Sequence, residues 1–321
     1  MRGRVARRLA VSATTLILVT LAVFALLNSL PGDALSDVED DRALPAAYLT
    51  ALRAQYHLDD PLLTRYARWI GDVARGDLGI SQTEQRPVAM ILAERLPVSV
   101  ALNAAALIVT FTIAVPLGIL GAWKPGGRWD RLGSTVATGL YAVPVFWMAL
   151  LLQWVFSIRL GWLPLFGTST DLATTSWGRA GDAILHGILP VVCLSYGGVA
   201  YVSRFARTAL IENAGDVPAR SARARGVSAL RFTATHGIAQ ASVPLLTLLG
   251  FLIPRLVGGS ILVEQIFGIP GLGQLMLSAI LARDLAVVLA LTLVSGVATL
   301  VGVTLADLLV ARFDPRVHRA G

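Results

Sequence analysis

The chain has 321 residues, of which 55% are hydrophobic and 15% are charged, and its mean hydropathy is +0.69. This composition excludes an ordinary soluble domain and predicts a protein of the lipid bilayer. A net charge of +7 would indicate a nucleic-acid-binding protein only if the basic residues were clustered on a soluble surface, and here they lie between apolar segments. The single cysteine, Cys193, excludes an internal disulfide, and the four histidines lack metal-site spacing, so no metal is expected.

Six apolar segments are long enough to cross about 30 Å of hydrocarbon, which takes roughly 20 helical residues. They lie at about 9–30, 98–122, 133–158, 184–206, 240–264 and 285–310. The sequence therefore predicts an all-α polytopic membrane protein with six transmembrane helices and with both termini on one side. The first segment follows four arginines, as a cleaved signal peptide would, but it exceeds a typical signal core of about 7–15 residues and lacks a small-x-small cleavage site.

Basic residues in the short loops predict the orientation of the spans. Four precede the first span, three lie at 124–131, five at 207–238 and three in the tail, whereas the opposite short loops contribute Arg159, Arg179 and Arg283. Because arginine and lysine favour the cytoplasmic side, both termini are predicted to be cytoplasmic. The long, acidic segment 31–96 is then external.

Four parts follow along the chain: residues 1–30, with the cytoplasmic N-terminus and first transmembrane helix; the external segment 31–96; a five-helix core at 97–310; and the cytoplasmic tail 311–321. Within the external segment, apolar residues recur at helical spacing after Pro61, namely Leu62, Tyr66, Trp69, Ile70 and Val73. This pattern predicts a short amphipathic helix. It packs either on the protein's own helices or on the membrane, or it receives a soluble partner.

The stretch RSARARGVSALRF at 220–232 places four arginines in the cytoplasmic loop 207–238. Attraction to anionic lipid would account for the arginines, but not for the small residues between them. Those small residues favour a compact helix that allows close approach, and Gly226 favours a left-handed helix stop. No recognisable nucleic-acid-binding fold accompanies the run, so nucleic acid is not expected as a partner.

Motifs in a fixed order cover nearly the whole chain. They include LRAQYHLDDPLLTRYARWIGDVARGDLGIS (52–81), VPLGILGAWKPGGRWDR (115–131), HGILPVVCLSYGG (186–198), EQIFGIPGLGQLM (264–276) and ARFDPRVHR (311–319). In sequence and spacing they resemble the permease subunits of bacterial peptide-type ABC importers, the oligopeptide, dipeptide and nickel permease family. The resemblance implies a type I ABC importer permease fold in the bacterial cytoplasmic membrane.

Function and partners also follow from the resemblance. It implies movement of di- or oligopeptides by alternating access, together with a homologous second permease subunit, two P-loop ATPase subunits that bind ATP and Mg, and an external solute-binding protein. The ATPase-coupling segment of the family corresponds here to Arg220, Ser221, Ala222, Arg223, Ala224 and Gly226. A nickel or other small-solute permease is an alternative, and a self-sufficient secondary transporter is an alternative of another class.

The sequence contains no GxxxxGK[ST] motif, so ATP hydrolysis is expected in partner subunits and the chain is not interpreted as an enzyme or as binding a cofactor. The glycine-rich GIPGLG (268–273) follows an apolar run and contains proline, which indicates a turn on the outer face rather than a phosphate loop.

Two ionisable residues within the spans are candidate site residues, because charges inside a membrane face a cavity or a partner. Arg255 follows Pro254 in the fifth span. Either it lines the translocation cavity and meets a substrate carboxylate, or it pairs with an acidic residue of another helix, or it lies nearer the membrane interface. Asp307 is expected to pair with Arg204 or Arg207.

Overall fold

The computed structural model describes residues 2–29, 60–169, 176–213, 221, 224–232 and 238–313. These residues are predominantly helical, and the one β-type contact described among them is an isolated bridge between Ile80 and Pro87. The helices are α1 (Arg2–Ser29), α2 (Leu62–Ala74), α3 (Val88–Trp123), α4 (Arg128–Ala142), α5 (Val145–Leu152), a π-helix (Gln153–Arg159), α6 (Ser176–Asn213), α7 (Ala229–Phe232), α8 (Ile238–Leu252), α9 (Arg255–Gly258), α10 (Ile261–Phe267), α11 (Leu272–Leu281) and α12 (Leu285–Phe313).

Five of the described helical stretches are long and apolar enough to cross a membrane, namely Ala10–Ser29, Val88–Trp123, Trp177–Glu212, Ala241–Gly258 and Leu285–Ala306. They coincide with the first, second, fourth, fifth and sixth predicted spans. Two further pairs of helices reach the same length only across a sharp bend. These are α4 with α5 and the π-helix, bent by 96°, and α10 with α11, bent by 95°.

The third and fifth predicted spans are therefore not continuous helices. In the third, α4 stops at Val143, which is extended (ψ 125°) before Pro144, because a residue before proline is disfavoured in the helical region. The fifth was predicted to continue to residue 264, and this boundary is wrong. The helix stops at Gly259, whose φ of +63° is left-handed, and Glu264 belongs to the separate helix α10.

The chain divides into two compact units, and the first comprises Met1–Pro97 with Leu275–Leu300. Its core is formed by α1, α2 and the start of α12 around Phe24, Tyr66 and Leu289. The rings of Phe24 and Tyr66 meet edge to face at 5.6 Å, and the Tyr66 hydroxyl donates to the Ile17 carbonyl of α1 at 2.8 Å. The apolar face predicted for the amphipathic helix thus packs on the protein's own helices.

The second unit comprises Val98–Gln274 with Val301–Gly321, and its helices cross at small residues. A Cβ atom at Gly118 of α3 would lie 2.7 Å from that of Ala206 in α6, and one at Gly250 of α8 would lie 1.8 Å from that of Ala306 in α12. Because hydrocarbon offers no hydrophobic drive between helices, such close backbone contact is a main source of packing energy in a membrane.

Candidate functional site

A cavity of about 270 Å³ lies within the second unit, between α3, α6, α8 and α9. Its polar wall is formed by Asn103, Thr110, Arg255 and Ser260, and its apolar wall mainly by Leu107, Leu194, Leu252 and Leu256. The wall thus combines apolar side chains with several polar groups, and polar groups that converge beside an apolar surface are a feature of small-molecule sites.

The cavity lies near the middle of two of the helices that form it, α3 and α6, and at the end of the fifth span, which stops at Gly258. Between Arg95 and Lys124, α3 contains no charged residue, and Thr110 falls midway between these two. In α6, Leu194 falls close to the midpoint between Asp182 and Arg204. Because charged residues lie mainly outside the hydrocarbon, the α3 and α6 side of the cavity lies within the membrane.

Arg255 is the charged residue in the cavity wall. It begins α9 directly after Pro254, and its side chain is exposed to the cavity rather than packed among other residues. No acidic residue lines the cavity, and the ion pairs found among the described residues do not include Arg255. Arg255 thus lines a cavity, and its role in translocation and its binding partner remain predictions.

Glu264 is a buried carboxyl group next to this cavity, and the sequence analysis missed its role. Its side chain is fully buried and accepts hydrogen bonds from the Ser99 hydroxyl at 3.0 Å, the Ser260 backbone N–H at 3.2 Å and the Gln274 backbone N–H at 2.9 Å. The Ser99 oxygen in turn accepts the Leu272 N–H at 2.8 Å. Glu264 therefore joins the Ser260 edge of the cavity to the start of α11.

The glycines of GIPGLG make room for Glu264. A Cβ atom at Gly271 would lie 2.5 Å from a Glu264 carboxylate oxygen, and one at Gly273 would lie 3.0 Å from it. Gly268 adopts the left-handed conformation that ends α10. The motif is a turn between two helices, as predicted, and its position on the outer face remains a prediction. An acidic residue in an apolar run flanked by glycines was the signal that could have identified this arrangement.

Gln153 attaches the start of the π-helix to the same region. It is buried, and its side-chain amide donates to the carbonyls of Leu165 at 2.8 Å and Ile266 at 3.1 Å. The Gly167 N–H also donates to the Phe267 carbonyl at 2.8 Å. The loop after the π-helix is thereby attached to α10.

On the opposite side of the second unit, an ion pair joins α4 to α6. Arg207 donates from Nε to Asp130 Oδ1 at 2.5 Å and from Nη2 to Oδ2 at 2.8 Å, and the Gly126 N–H donates to Oδ2 at 2.7 Å. Arg207 is thus paired with Asp130, because α4 lies directly against α6 at this level. The side chain of Asp307 lies outside the described residues, so its pair with Arg204 or Arg207 remains a prediction.

The predicted coupling segment is described only in part. Ser221, Ala224 and Gly226 are exposed, and Gly226 has a φ of +79°, the left-handed conformation expected of a helix stop. The Arg225 N–H bonds back to the Ser221 carbonyl at 3.3 Å, as in a helical turn. Arg220, Ala222 and Arg223 lie outside the described residues, and the role of the whole segment remains a prediction.

Groups of three or more histidine, cysteine or acidic residues that could hold a metal ion are not found within the described ranges. Within the described ranges, the residues around the cavity include neither an activated nucleophile nor an acid–base pair, and the charged residue among them is an arginine. The site is therefore suited to binding.

Comparison with known proteins identifies related membrane components. The family model described as a binding-protein-dependent transport system inner membrane component matches residues 114–319. The oligopeptide transport system permease protein AppB of Bacillus subtilis is 34% identical over 99% of this chain and 100% of its own. A probable peptide ABC transporter permease protein, y4tP of Sinorhizobium fredii, is 33% identical over 97% of this chain and 98% of its own.

Among solved structures, the inward-facing MetNI methionine ABC transporter contains a similar chain. The TM-score is 0.53 at 16% identity, and the match covers 70% of this chain and 97% of the other. At this identity the likeness concerns the fold.

Proposed function

The chain belongs to the family of binding-protein-dependent transport system inner membrane components, and on this premise we propose that it is the permease subunit of an ATP-driven peptide importer. The observation that carries the proposal is the identity of 34% with an oligopeptide permease over essentially the full length of both chains. A second relative described as a peptide permease matches over a similar extent. The fold shared with a methionine ABC transporter agrees with the same class.

The permease contributes conformational change rather than chemistry. Its sequence has no P-loop motif, so ATP and Mg bind to two separate ATPase subunits. Closure of the ATPase pair displaces the cytoplasmic loop that contains Ser221, Ala224 and Gly226. The permease then switches between two arrangements that open the central pathway to opposite faces. The exposure of these three residues supports a docking role.

The Asp130–Arg207 pair can transmit this displacement from α6 to α4 within the second unit. Arg207 lies fourteen residues before Ser221, near the end of the long helix α6. Two hydrogen bonds at 2.5 and 2.8 Å hold it to Asp130 at the start of α4. A bidentate arginine–carboxylate pair fixes geometry as well as distance. Movement of α6 by an ATPase would therefore carry α4 with it.

Orientation and further partners complete the proposal. The distribution of basic residues in the short loops supports cytoplasmic termini, which puts the coupling segment on the ATP side. A homologous second permease subunit completes the pathway, and an external solute-binding protein delivers the peptide. The binding protein sets most of the cargo selectivity, and a nickel or other small-solute cargo is the alternative.

Affinity purification of the tagged chain in mild detergent tests the proposal. We expect co-purification of P-loop ATPase subunits and a second polytopic permease, identified by mass spectrometry. A transport-competent chain that purifies alone and moves solute in liposomes without an ATPase would instead indicate a secondary transporter and refute the proposal.

A further inference from the structure

We propose that the cavity around Arg255 is a subsite for the free carboxylate end of a peptide, built from the Arg255 guanidinium, the Thr110 hydroxyl and the Asn103 amide. The inference rests on the proposed function, because it assumes a peptide as the cargo. The proposed subsite lies within the second unit of this chain and binds the last residue of the peptide during translocation.

The first observation is a cation in the cavity wall, close to the end of the fifth span, that forms no ion pair with a described acidic residue. The neighbouring buried carboxyl of Glu264 is bonded to Ser99, Ser260 and Gln274 instead. Arg255 lines the cavity, and none of the other residues in the wall is acidic. A charged side chain at this depth faces a cavity or a partner group. A guanidinium matches the geometry of a carboxylate because it donates two parallel hydrogen bonds. The cavity is therefore electrostatically suited to an anionic end of a ligand.

The second observation is the Thr110 hydroxyl. Thr110 is only 4% exposed, it lines the same cavity, and among the described residues no hydrogen-bond partner is found for its hydroxyl. Helical threonines usually donate to the carbonyl one turn earlier, as Thr138, Thr247 and Thr292 do at 2.8–2.9 Å. The Thr110 oxygen is not among the fully buried atoms that lack a partner in the described residues, so it is accessible from the cavity, and a ligand carboxylate there can accept its hydrogen.

Asn103 provides a group that suits a peptide rather than a simple anion. Its side-chain amide donates one hydrogen to the Ser99 carbonyl at 2.8 Å, which fixes the side chain at the cavity wall. Its oxygen then remains available to accept the N–H of the last peptide residue. An acceptor beside an anion-binding arginine recognises a group that has both a carboxylate and an adjacent N–H.

The size and lining of the cavity limit what enters. Its volume of about 270 Å³ is below the range of about 300–1,000 Å³ usual for whole drug-sized ligands, so it takes the end of a peptide. Leu194, Leu252 and Leu256 offer an apolar surface to the last side chain. A Cβ atom at Gly198 would lie 3.1 Å from the Thr110 hydroxyl, so the lack of a side chain at Gly198 leaves room for Thr110.

The test uses the complex purified with its permease, ATPase and solute-binding partners and reconstituted into liposomes. ATP-dependent uptake is measured for a radiolabelled tripeptide ending in leucine, as the free acid and as the C-terminal amide. Arg255→Leu removes the cation, and Thr110→Val removes only the hydroxyl while keeping the shape. Arg179→Leu removes an exposed arginine at the start of α6, outside the cavity wall, and is the matched control.

We expect Arg255→Leu to reduce uptake of the free acid about tenfold or more and to leave the amide nearly unchanged, since a hydrogen bond to a charged group contributes about that factor. Thr110→Val should reduce the free-acid rate about threefold, and Arg179→Leu should change neither rate. Equal losses for both peptides in Arg255→Leu, or loss of assembly in that variant with no change of preference in Thr110→Val, would overturn the subsite. If the wild-type complex takes up neither peptide, the proposed function itself fails.

Discussion

Replacement of Glu264 by alanine should be among the most damaging single changes in the second unit. The side chain is fully buried and accepts three hydrogen bonds, at 3.0 Å from Ser99, 3.2 Å from Ser260 and 2.9 Å from Gln274. In Glu264→Ala, the Ser99 hydroxyl and the two part-buried backbone N–H groups lose their acceptor together, and an unsatisfied buried donor costs about 1–3 kcal/mol. Taking the partial exposure of Ser260 and Gln274 into account, we expect a total loss of about 3–5 kcal/mol.

Thermal unfolding of the detergent-purified complex measures this loss. On the scale of soluble domains, about 3–5 kcal/mol lowers Tm by roughly 6 °C or more. Glu94→Ala is the control, because Glu94 is likewise a hydrogen-bonded glutamate, paired with Arg86, but its side chain is 54% exposed, and exposed pairs contribute little to stability. If Glu264→Ala melts within about 2 °C of the wild type, the carboxylate does not hold the turn and the reasoning is wrong.

Three further predictions concern coupling and orientation. Gly226→Leu should leave a stable membrane protein but detach the ATPase or uncouple ATP hydrolysis from transport, since the left-handed backbone at Gly226 (φ +79°) disfavours a side chain by roughly 1 kcal/mol. Arg225→Lys should transport almost normally. Normal transport by Gly226→Leu together with loss of transport in Arg225→Lys would indicate a lipid-binding segment instead. Asp130→Ala should destabilise the complex by about 1–3 kcal/mol, which is less than for a fully buried ion pair because Arg207 is partly exposed. Asp72→Ala, which removes an exposed ion pair with Arg75, should change Tm little. Equal changes of Tm in the two variants would contradict a structural role for the Asp130–Arg207 pair. A cysteine at Gln82 should react with an impermeant maleimide in intact cells, and protection until lysis would reverse the orientation.

The sequence located the five long apolar helices but not where the third and fifth predicted segments break, and it did not identify the bent pair α10 and α11 as a further candidate span. Length and hydropathy identify a span because about 30 Å of hydrocarbon must be crossed whatever the neighbours are. Proline did not identify the breaks, since Pro190 and Pro244 lie inside continuous helices while Pro144 and Pro254 lie at helix starts. Neighbouring helices decide whether a freed carbonyl is satisfied, and those contacts are not local in sequence.

In the candidate site too, the sequence identified features that are local in the chain and missed those that depend on contacts between distant residues. Arg255 could be singled out because a charge in an apolar segment is rare and functional. Its neighbours Asn103 and Thr110 are about 150 residues away in sequence and become recognisable only when α3 and α9 enclose one cavity. Glu264 was overlooked because its partners are backbone N–H groups at Ser260 and Gln274, whose direction depends on the folded turn.

ATP-driven uptake of a labelled oligopeptide into proteoliposomes tests the central claim most directly. The assay compares the full complex, the full complex without ATP, and this chain without ATPase subunits. The account predicts peptide accumulation only in the first, and loss of accumulation when Gly226→Leu replaces the wild-type chain. Peptide accumulation by the chain alone would contradict the account. So would ATP hydrolysis by the full complex that is neither stimulated by peptide nor accompanied by peptide uptake.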